Sequence, residues 1–280
     1  DRYMSENKIP LAGVIGSPIA HSKSPLLHAH WLKRYNLHGH FVPLDINTEE
    51  LEVVLRMMPK MGVVGANVTI PHKERVLELA DLITDRATLI GAVNTLIFRP
   101  DGKIHADNTD GYGFITNLKQ SAPHWNPQSG PAAVMGAGGA ARAVITSLLD
   151  AGAPEILISN RTKIRAEALR ADFGKRLTVV DWVQAGNMFE EATTVVNTTS
   201  LGMIGKPPLR VPLDGLRAGS VVTDLVYAPL KTNFLVEAEQ RGCFIVDGLG
   251  MLLHQAIPGF ERWFGLRPEV DTATRTAALR

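Results

Sequence analysis

Lys73 follows Asn67-Val68-Thr69-Ile70-Pro71-His72. Pro71 opens a helix there, so the lysine falls in the first turn, where a cation opposes the helix dipole unless an anion faces it. A lysine so placed can hand a proton to a developing alkoxide or stabilise its charge. Asp110, within Asp107-Asn108-Thr109-Asp110-Gly111-Tyr112-Gly113, is a carboxylate able to orient such a lysine and keep it charged. The structural alternatives are a plain exposed Lys73 and a helix N-cap at Asp110; Asp107 reads as turn chemistry. Other polar groups stand at strand ends. Ser22 and Ser24 in His21-Ser22-Lys23-Ser24 offer two hydroxyls at i and i+2 to a carboxylate or polyol, with ordinary N-capping as the alternative for Ser24. Asn67 and Thr69 share one face of a strand, and Asn94 in Gly91-Ala92-Val93-Asn94-Thr95 sets an amide in another.

A second constellation lies further along. Val134-Met135-Gly136-Ala137-Gly138-Gly139-Ala140-Ala141 fits G-x-G-x-x-A directly after a strand and before a helix. Gly136 permits the tight turn, Gly138 leaves room for a pyrophosphate, and Ala141 allows close helix–strand packing at a helix N-terminus that offers amide donors. Dinucleotide binding is the expected role, the alternative being a glycine-rich turn with no ligand. An NAD-type protein often carries a carboxylate about 20 residues past the glycines to meet the ribose hydroxyls. This chain instead reads Asn160-Arg161-Thr162-Lys163-Ile164-Arg165, with Arg161 and Arg165 one helical turn apart and able to clamp a 2′-phosphate. NADP is therefore the expected cofactor, the alternative being solvated cations on a surface helix.

Composition narrows the field. The 280 residues suggest two domains at about 150 residues each, and 45% hydrophobic with 20% charged residues excludes a disordered chain. With 29 Lys+Arg against 28 Asp+Glu the net charge is +1, so nothing draws the chain to nucleic acid or an anionic membrane. The single cysteine, Cys243 in Cys-Phe-Ile-Val, reads as a buried strand thiol in a reducing compartment. No apolar run approaches the ~18 residues of a membrane span, and Asp1 to Lys8 lacks a signal peptide's apolar region, so cytoplasm is expected, with Met4 a candidate initiator. Among nine histidines the pairs His28/His30 and His38/His40 have no accompanying carboxylate or cysteine cluster, so no metal site is expected.

The elements that must position these groups read as two α/β units. Leu11 to Gly16, Phe41 to Ile46 and Val63 to Thr69 are strand-like; between them run helices opening at Ser24-Pro25 and Thr48, and a third from Pro71 with Val76, Leu79 and Ile83 inward. Ala92 to Arg99 turns at Pro100-Asp101-Gly102 into Lys103 to Ala106, an antiparallel pair in an otherwise parallel sheet. The polar stretch Gln120 to Pro131 reads as a linker. Beyond it come strands at Ala132 to Met135, Ile156 to Asn160, Leu177 to Val180, Thr194 to Thr198, Val221 to Val226 and Phe244 to Val246, and helices at Ala140 to Asp150, Lys163 to Phe173 and Asn233 to Gln240, a doubly wound pattern. Gly250 to Phe264 is helical, with Pro258 kinking or splitting it.

Ser22-Lys23-Ser24, Asn67-Val68-Thr69-Ile70-Pro71-His72-Lys73, Gly91-Ala92-Val93-Asn94-Thr95, Asn108-Thr109-Asp110-Gly111, Gly136 to Ala141, Asn160-Arg161-Thr162, Asp224-Leu225-Val226-Tyr227-Ala228-Pro229 and Asp247 to Gln255 together resemble the shikimate dehydrogenase family, in that family's order and across nearly the whole chain. The resemblance implies reversible NADPH-dependent reduction of 3-dehydroshikimate to shikimate, in the route to aromatic amino acids. It implies an N-terminal mixed-sheet α/β substrate domain over residues 1–119, a Rossmann-type NADP-binding domain over 120–248, and a C-terminal helical segment, 249–280, returning to the first domain. By resemblance Lys73 and Asp110 carry catalysis, and Ser22, Ser24, Asn67, Thr69, Asn94, Tyr227 and Gln255 bind substrate. The cofactor falls to Gly136, Ala137, Gly138, Gly139, Ala140, Asn160, Arg161, Thr162, Arg165 and Gly248. Leu225-Val226 lies near the nicotinamide or is plain strand core, and no role attaches to His72 or Leu201.

The partner expected is a small molecule, shikimate or 3-dehydroshikimate, with the protein a monomer or homodimer. Hydride transfer from one domain to a ketone held by the other sets hinges at residues 120–131 and ahead of Gly250. The rival readings are a quinate/shikimate dehydrogenase using NAD, another two-domain dehydrogenase such as one acting on folates, and a non-catalytic NADP-binding regulator, which would need neither Lys73 nor Asp110.

Overall fold

The computed structural model describes residues 8–280; Met4 and the rest of residues 1–7 lie outside it. Two compact units emerge, one running up to Thr109 and resuming over Gln255–Arg280, the other continuous over Asp110–His254. The chain thus passes between units at Thr109/Asp110 and again at His254/Gln255, not in the expected linker. Within residues 120–131, Ala122 and Trp125 are buried in the second unit's core, the Trp125 indole donates to Thr194 Oγ1 at 2.9 Å, and the Pro131 carbonyl accepts from Thr193 N at 2.9 Å, so that polar stretch is a surface turn pinned at both ends. The divisions at 119/120 and 248/249 move accordingly, because both flanking helices belong to the second unit.

In the first unit β1 (Leu11–Gly16), β2 (His40–Asp45), β3 (Val63–Val68), β4 (Leu82–Ile83), β5 (Thr95–Phe98) and β6 (Ile104–Asp107) form a sheet in the order β2-β1-β3-β5-β6-β4. β1 is parallel to β2 and β3, while β5 runs antiparallel to both β3 and β6, as the turn at residues 100–102 requires. Helices α1 (Ser24–Arg34), α2 (Leu51–Met57), α3 (Lys73–Leu79) and α4 (Asp85–Ile90) connect them. The third helix, expected to reach Ile83, ends earlier: α3 stops at Leu79, Ala80 turns extended, and Ile83 is half-exposed in β4. α4 lacks an apolar stripe long enough to be read from sequence, and it stands on a cap, Thr84 Oγ1 accepting from Ala87 N.

The second unit contains β7 (Ala132–Met135), β8 (Ile156–Ser159), β9 (Leu177–Val179), β10 (Thr194–Asn197), β11 (Val221–Asp224) and β12 (Phe244–Val246), with α5 (Asp110–Ser121), α6 (Gly139–Asp150), α7 (Lys163–Phe173), α8 (Asn233–Gln240) and α9 (Leu249–His254). The sheet is all parallel in the order β12-β11-β10-β7-β8-β9, the doubly wound order in which β7 and β10 flank the topological switch point. Its strands are buried on both faces, as crossover helices demand. Gly250 is set by close approach: a Cβ there would collide with Asn117 Oδ1 of α5. Cys243 is buried, at the turn just before β12, with Sγ 3.3 Å from the Arg217 carbonyl oxygen.

Pro258 splits the expected C-terminal helix, standing in the first turn of α10 (Ile257–Phe264); α11 (Thr272–Ala278) follows on a capping box between Asp271 and Thr274. These two helices complete the first unit. Trp263 donates its indole N–H to the Leu96 carbonyl at 3.1 Å, which leaves room only for glycine at Gly65, where a Cβ would collide with that nitrogen. The Trp31 ring meets Phe260 edge-on at 5.2 Å and donates to the Glu269 carbonyl at 3.0 Å.

Candidate active site

Sheet direction gathers the first unit's polar groups at one edge. β1 and β3 end there, antiparallel β5 begins there, and β6 ends there, with Asn67 opposite Thr95 and Thr95 opposite Asp107. Ser22, Ser24, Asn67, Thr69, Lys73 and Asn94 all lie at or just past this edge. Asn94 is its hub. Its Nδ2 donates to Thr109 Oγ1 at 2.9 Å and to Gln255 Oε1 at 3.1 Å, and its Oδ1 accepts from Thr109 N and Thr95 Oγ1, both at 2.9 Å. Thr109 Oγ1 in turn donates to the Gln255 carbonyl at 2.7 Å. Sequence reasoning gives Thr109 no role; its only signal there is its place next to Asp110.

Asn67 is 5% exposed, and its Nδ2 donates to the Asn94 carbonyl at 3.1 Å. Its Oδ1 and both ring nitrogens of His28 are buried, and the Asn67 side chain acts on that imidazole. The His28 ring stacks on Phe41 at 3.7 Å; burial pushes its pKa down to about 3, opposed by Asn67, so the imidazole is neutral. Ser24 begins α1 but does not cap it; the helix starts from Lys23 with no side-chain cap, and Ser22 Oγ accepts from Ser24 N at 3.3 Å. The Ser24 hydroxyl is thus not consumed by capping. Lys73 is half-buried in the first turn of α3, its carbonyl accepting from Val93 N at 2.8 Å. His72 is structural: fully buried, with Nε2 donating to the Ile46 carbonyl. Asp107 is held by Arg86 and Thr84; burial pushes its carboxyl up, and these hydrogen bonds outweigh that and leave it below the usual range.

In the second unit all strand carboxyl ends share one edge, where Ser159, Met135, Asn197 and Asp224 stand in one row. Gly136 takes φ +109° with its amide on the Ser159 carbonyl at 2.8 Å, and a Cβ would strike Thr198 Oγ1. At Gly138 and Gly139 a Cβ would meet nothing within 4 Å, so their small size keeps open the space in front of α6, whose first turn has no acidic residue. Ala137 is half-buried and Ala140 exposed at the same turn. Asn160, Arg161, Thr162 and Arg165 follow β8, Asn160 Nδ2 bracing the turn on the Thr162 carbonyl at 2.9 Å. Among the described residues no acidic side chain pairs with Arg161 or Arg165, whereas Lys163 pairs with Asp181 at 2.8 Å. Open glycines, a donor-rich helix start and unpaired guanidinium groups fit a phosphorylated dinucleotide.

Asp224, in the sequence only a letter of a motif, anchors this edge. Its Oδ1 accepts from Asn197 Nδ2 and from Val226 N, each at 3.0 Å, and its Oδ2 from Thr232 Oγ1 at 2.7 Å, fixing both ends of the turn that carries Tyr227. Burial pushes its pKa up to about 6 against those bonds, and burial likewise raises the Tyr227 phenol. Val226 is buried, and Leu225 is partly buried against the core that includes Val196, Val221 and Val246. Gly248 is dictated by packing: a Cβ would collide with the Leu225 carbonyl oxygen. Among the described residues, no group of three or more His, Cys, Asp or Glu side chains is placed to hold a metal ion.

Comparison with known proteins matches this arrangement. Residues 14–96 fit the shikimate dehydrogenase substrate binding domain, 119–203 the shikimate/quinate 5-dehydrogenase family, and 248–277 the shikimate 5′-dehydrogenase C-terminal domain. The shikimate dehydrogenase (NADP(+)) of Paracoccus denitrificans is 69% identical over 279 residues, covering 100% of this chain and 99% of its own. That of Cereibacter sphaeroides is 69% identical over 272 residues, covering 97% and 98%. The crystal structure of shikimate 5-dehydrogenase from Thermus thermophilus with NADP(H) and shikimate superposes with TM-score 0.84 at 37% identity, covering 96% of this chain and 98% of that one. With full-length relatives at this identity and a polar edge and glycine turn built as described, the chain belongs to the shikimate dehydrogenase family.

Proposed function

We propose that the protein reversibly reduces 3-dehydroshikimate to shikimate with NADPH, the first unit holding the substrate and the second the cofactor. The observation that carries this reading is the Asn94–Thr109–Gln255 network. It fixes polar side chains from three separate stretches of chain at the sheet edge where Lys73 and the Ser22–Ser24 turn also stand. Ser22, Ser24, Asn67, Thr69, Asn94, Tyr227 and Gln255 bind the carboxylate and hydroxyls, and polar fixing of the ring selects the face presented. Gly136, Ala137, Gly138, Gly139 and Ala140 take the pyrophosphate at the start of α6; Asn160, Arg161, Thr162 and Arg165 take the 2′-phosphate, and Gly248 lies along the cofactor. NADPH supplies the hydride that the ketone carbon accepts. Lys73 gives the carbonyl oxygen its proton as negative charge develops there, and Asp110 keeps the lysine charged and oriented.

Among the described residues, no helix is long and apolar enough to cross a membrane. We place the enzyme in the cytoplasm, as monomer or homodimer. The rival using NAD and quinate is disfavoured by Arg161 and Arg165, which among the described residues have no acidic partner and so suit a phosphate rather than free ribose hydroxyls. A matrix of NAD and NADP against shikimate and quinate tests the reading: turnover highest with NADP and shikimate supports it, and turnover highest with NAD and quinate rejects it.

A further inference from the structure

A recess of about 290 Å³ opens at the carboxyl edge of the second unit's sheet, lined by Arg161, Trp182, Leu201, Pro207, Pro208 and Arg210. It lies at the low end of the roughly 300–1,000 Å³ typical of ligand pockets, a size for one end of a dinucleotide rather than the whole. Its charges are unbalanced. Arg161 and Arg210 both line it and, among the described residues, neither has an acidic partner. The nearby acid, Asp181, sits beside Trp182 in sequence but is neutralised by Lys163 at 2.8 Å. Both arginines are exposed on this one recess, so an external anion lying in it could be met by two guanidinium groups from separate loops. Trp182 adds an aromatic wall suited to a flat ring.

The recess is also held ready. The stretch that leads to Arg210 is fastened as far as Pro207 by backbone bonds: Gly202 N to the Pro207 carbonyl at 2.8 Å and Ile204 N to the Ala228 carbonyl at 2.8 Å. Leu201 is gripped twice, its carbonyl by Asn197 Nδ2 at 3.2 Å and its amide by Thr199 Oγ1 at 3.1 Å. Asn197 is itself held by Asp224. Pro207 and Pro208 stiffen the stretch that leads to Arg210. With the backbone before it held, mainly the Arg210 side chain has to be ordered when it meets its anion.

We propose that Arg210 is a further determinant of cofactor choice, meeting the 2′-phosphate of NADP from a loop separate from the one that carries Arg161 and Arg165, with the adenine end seated in this recess. This rests on the assignment of the 2′-phosphate to Arg161 and Arg165, so the test must separate the two.

The probes are 2′,5′-ADP and 5′-AMP, which differ at the 2′-phosphate, titrated by calorimetry into the full chain and into Arg210→Ala, Arg210→Lys and Arg161→Ala. A hydrogen-bonded charge pair predicts a ~10- to 100-fold weaker affinity of Arg210→Ala for 2′,5′-ADP, with 5′-AMP within about twofold of wild type. Arg210→Lys should recover part of the loss, because it keeps the charge and loses the fork. Unchanged binding of 2′,5′-ADP by Arg210→Ala, or equal weakening of both probes, overturns the proposal. If Arg161→Ala loses discrimination while Arg210→Ala keeps it, only the role of Arg210 falls; if both keep it, the phosphate assignment falls as well.

Discussion

The Thr109 hydroxyl donates to the backbone carbonyl of Gln255, 146 residues further along the chain, at 2.7 Å. The two segments that leave the first unit are therefore tied side by side at their points of departure, and Asn94 holds both. Replacing Thr109 by Val strands the Asn94 donor and the Gln255 carbonyl, at a cost of about 1–3 kcal/mol. A lower urea midpoint together with a raised KM for shikimate is the expected result; an unchanged midpoint would mean that the network is dispensable.

Lys73→Ala should lose roughly 10²- to 10⁴-fold in kcat, the usual size of general acid catalysis, with little change in NADP affinity. Groups serving one step are non-additive, so adding Asp110→Ala should cost little beyond the worse single change. Losses that multiply in stopped-flow assays would assign the two residues to separate steps.

Under the proposed assignment, Arg161→Ala with Arg165→Ala removes charges that NADP would use and NAD would not. The dissociation constant for NADP should rise ~10-fold or more while that for NAD stays nearly constant. Equal weakening, measured by fluorescence titration, would show that these arginines are surface cations only.

Ser24→Ala tests whether a hydroxyl freed from capping binds substrate. A hydrogen bond to a carboxylate is worth about 1.5–3 kcal/mol, which predicts weaker shikimate binding at constant NADP affinity and constant thermal stability. Loss of stability without loss of shikimate affinity would return Ser24 to a purely structural role.

Acid should unfold the first unit partly through His28. Its native pKa is about 3, against about 6.5 in an unfolded chain. Above that upper value both states are neutral and there is no penalty; below it only the unfolded chain takes the proton, and stability falls by about 1.4 kcal/mol per pH unit until the native value is reached. Asp224 acts in the opposite sense: its pKa of about 6 makes the native state hold a proton that the unfolded chain releases, so its contribution declines as pH rises through that range. Denaturation of His28→Leu across this interval should give a shallower acid slope than wild type.

Much of the second unit can be read directly from the residues because its strands are continuous apolar runs between crossover helices. Lys163–Phe173 and Asn233–Gln240 start and stop at the expected residues. The glycine turn and the cations after β8 are legible in the sequence because backbone freedom and charge act locally. What escapes depends on distant partners. α4 exists through one threonine cap, Trp125 turns a polar stretch into buried wall by finding Thr194, and Thr109 matters only because Asn94 and Gln255 arrive beside it. Gly248 likewise depends on a distant partner, since a Cβ there would meet the backbone carbonyls of Asp224 and Leu225, a constraint separate from the binding role proposed for it.

The first unit is discontinuous in sequence, and this sets an order of events on the ribosome. Residues 110–254 form an uninterrupted unit that can fold as soon as they emerge. The earlier-made sheet cannot finish: the bed for Trp31 and Gly65 waits on Phe260 and Trp263, which are translated only after residues 110–254. Until then, the nascent chain displays an uncovered aromatic surface, so a chaperone or a stalled ribosome would meet this protein with its older half still open and its younger half already closed.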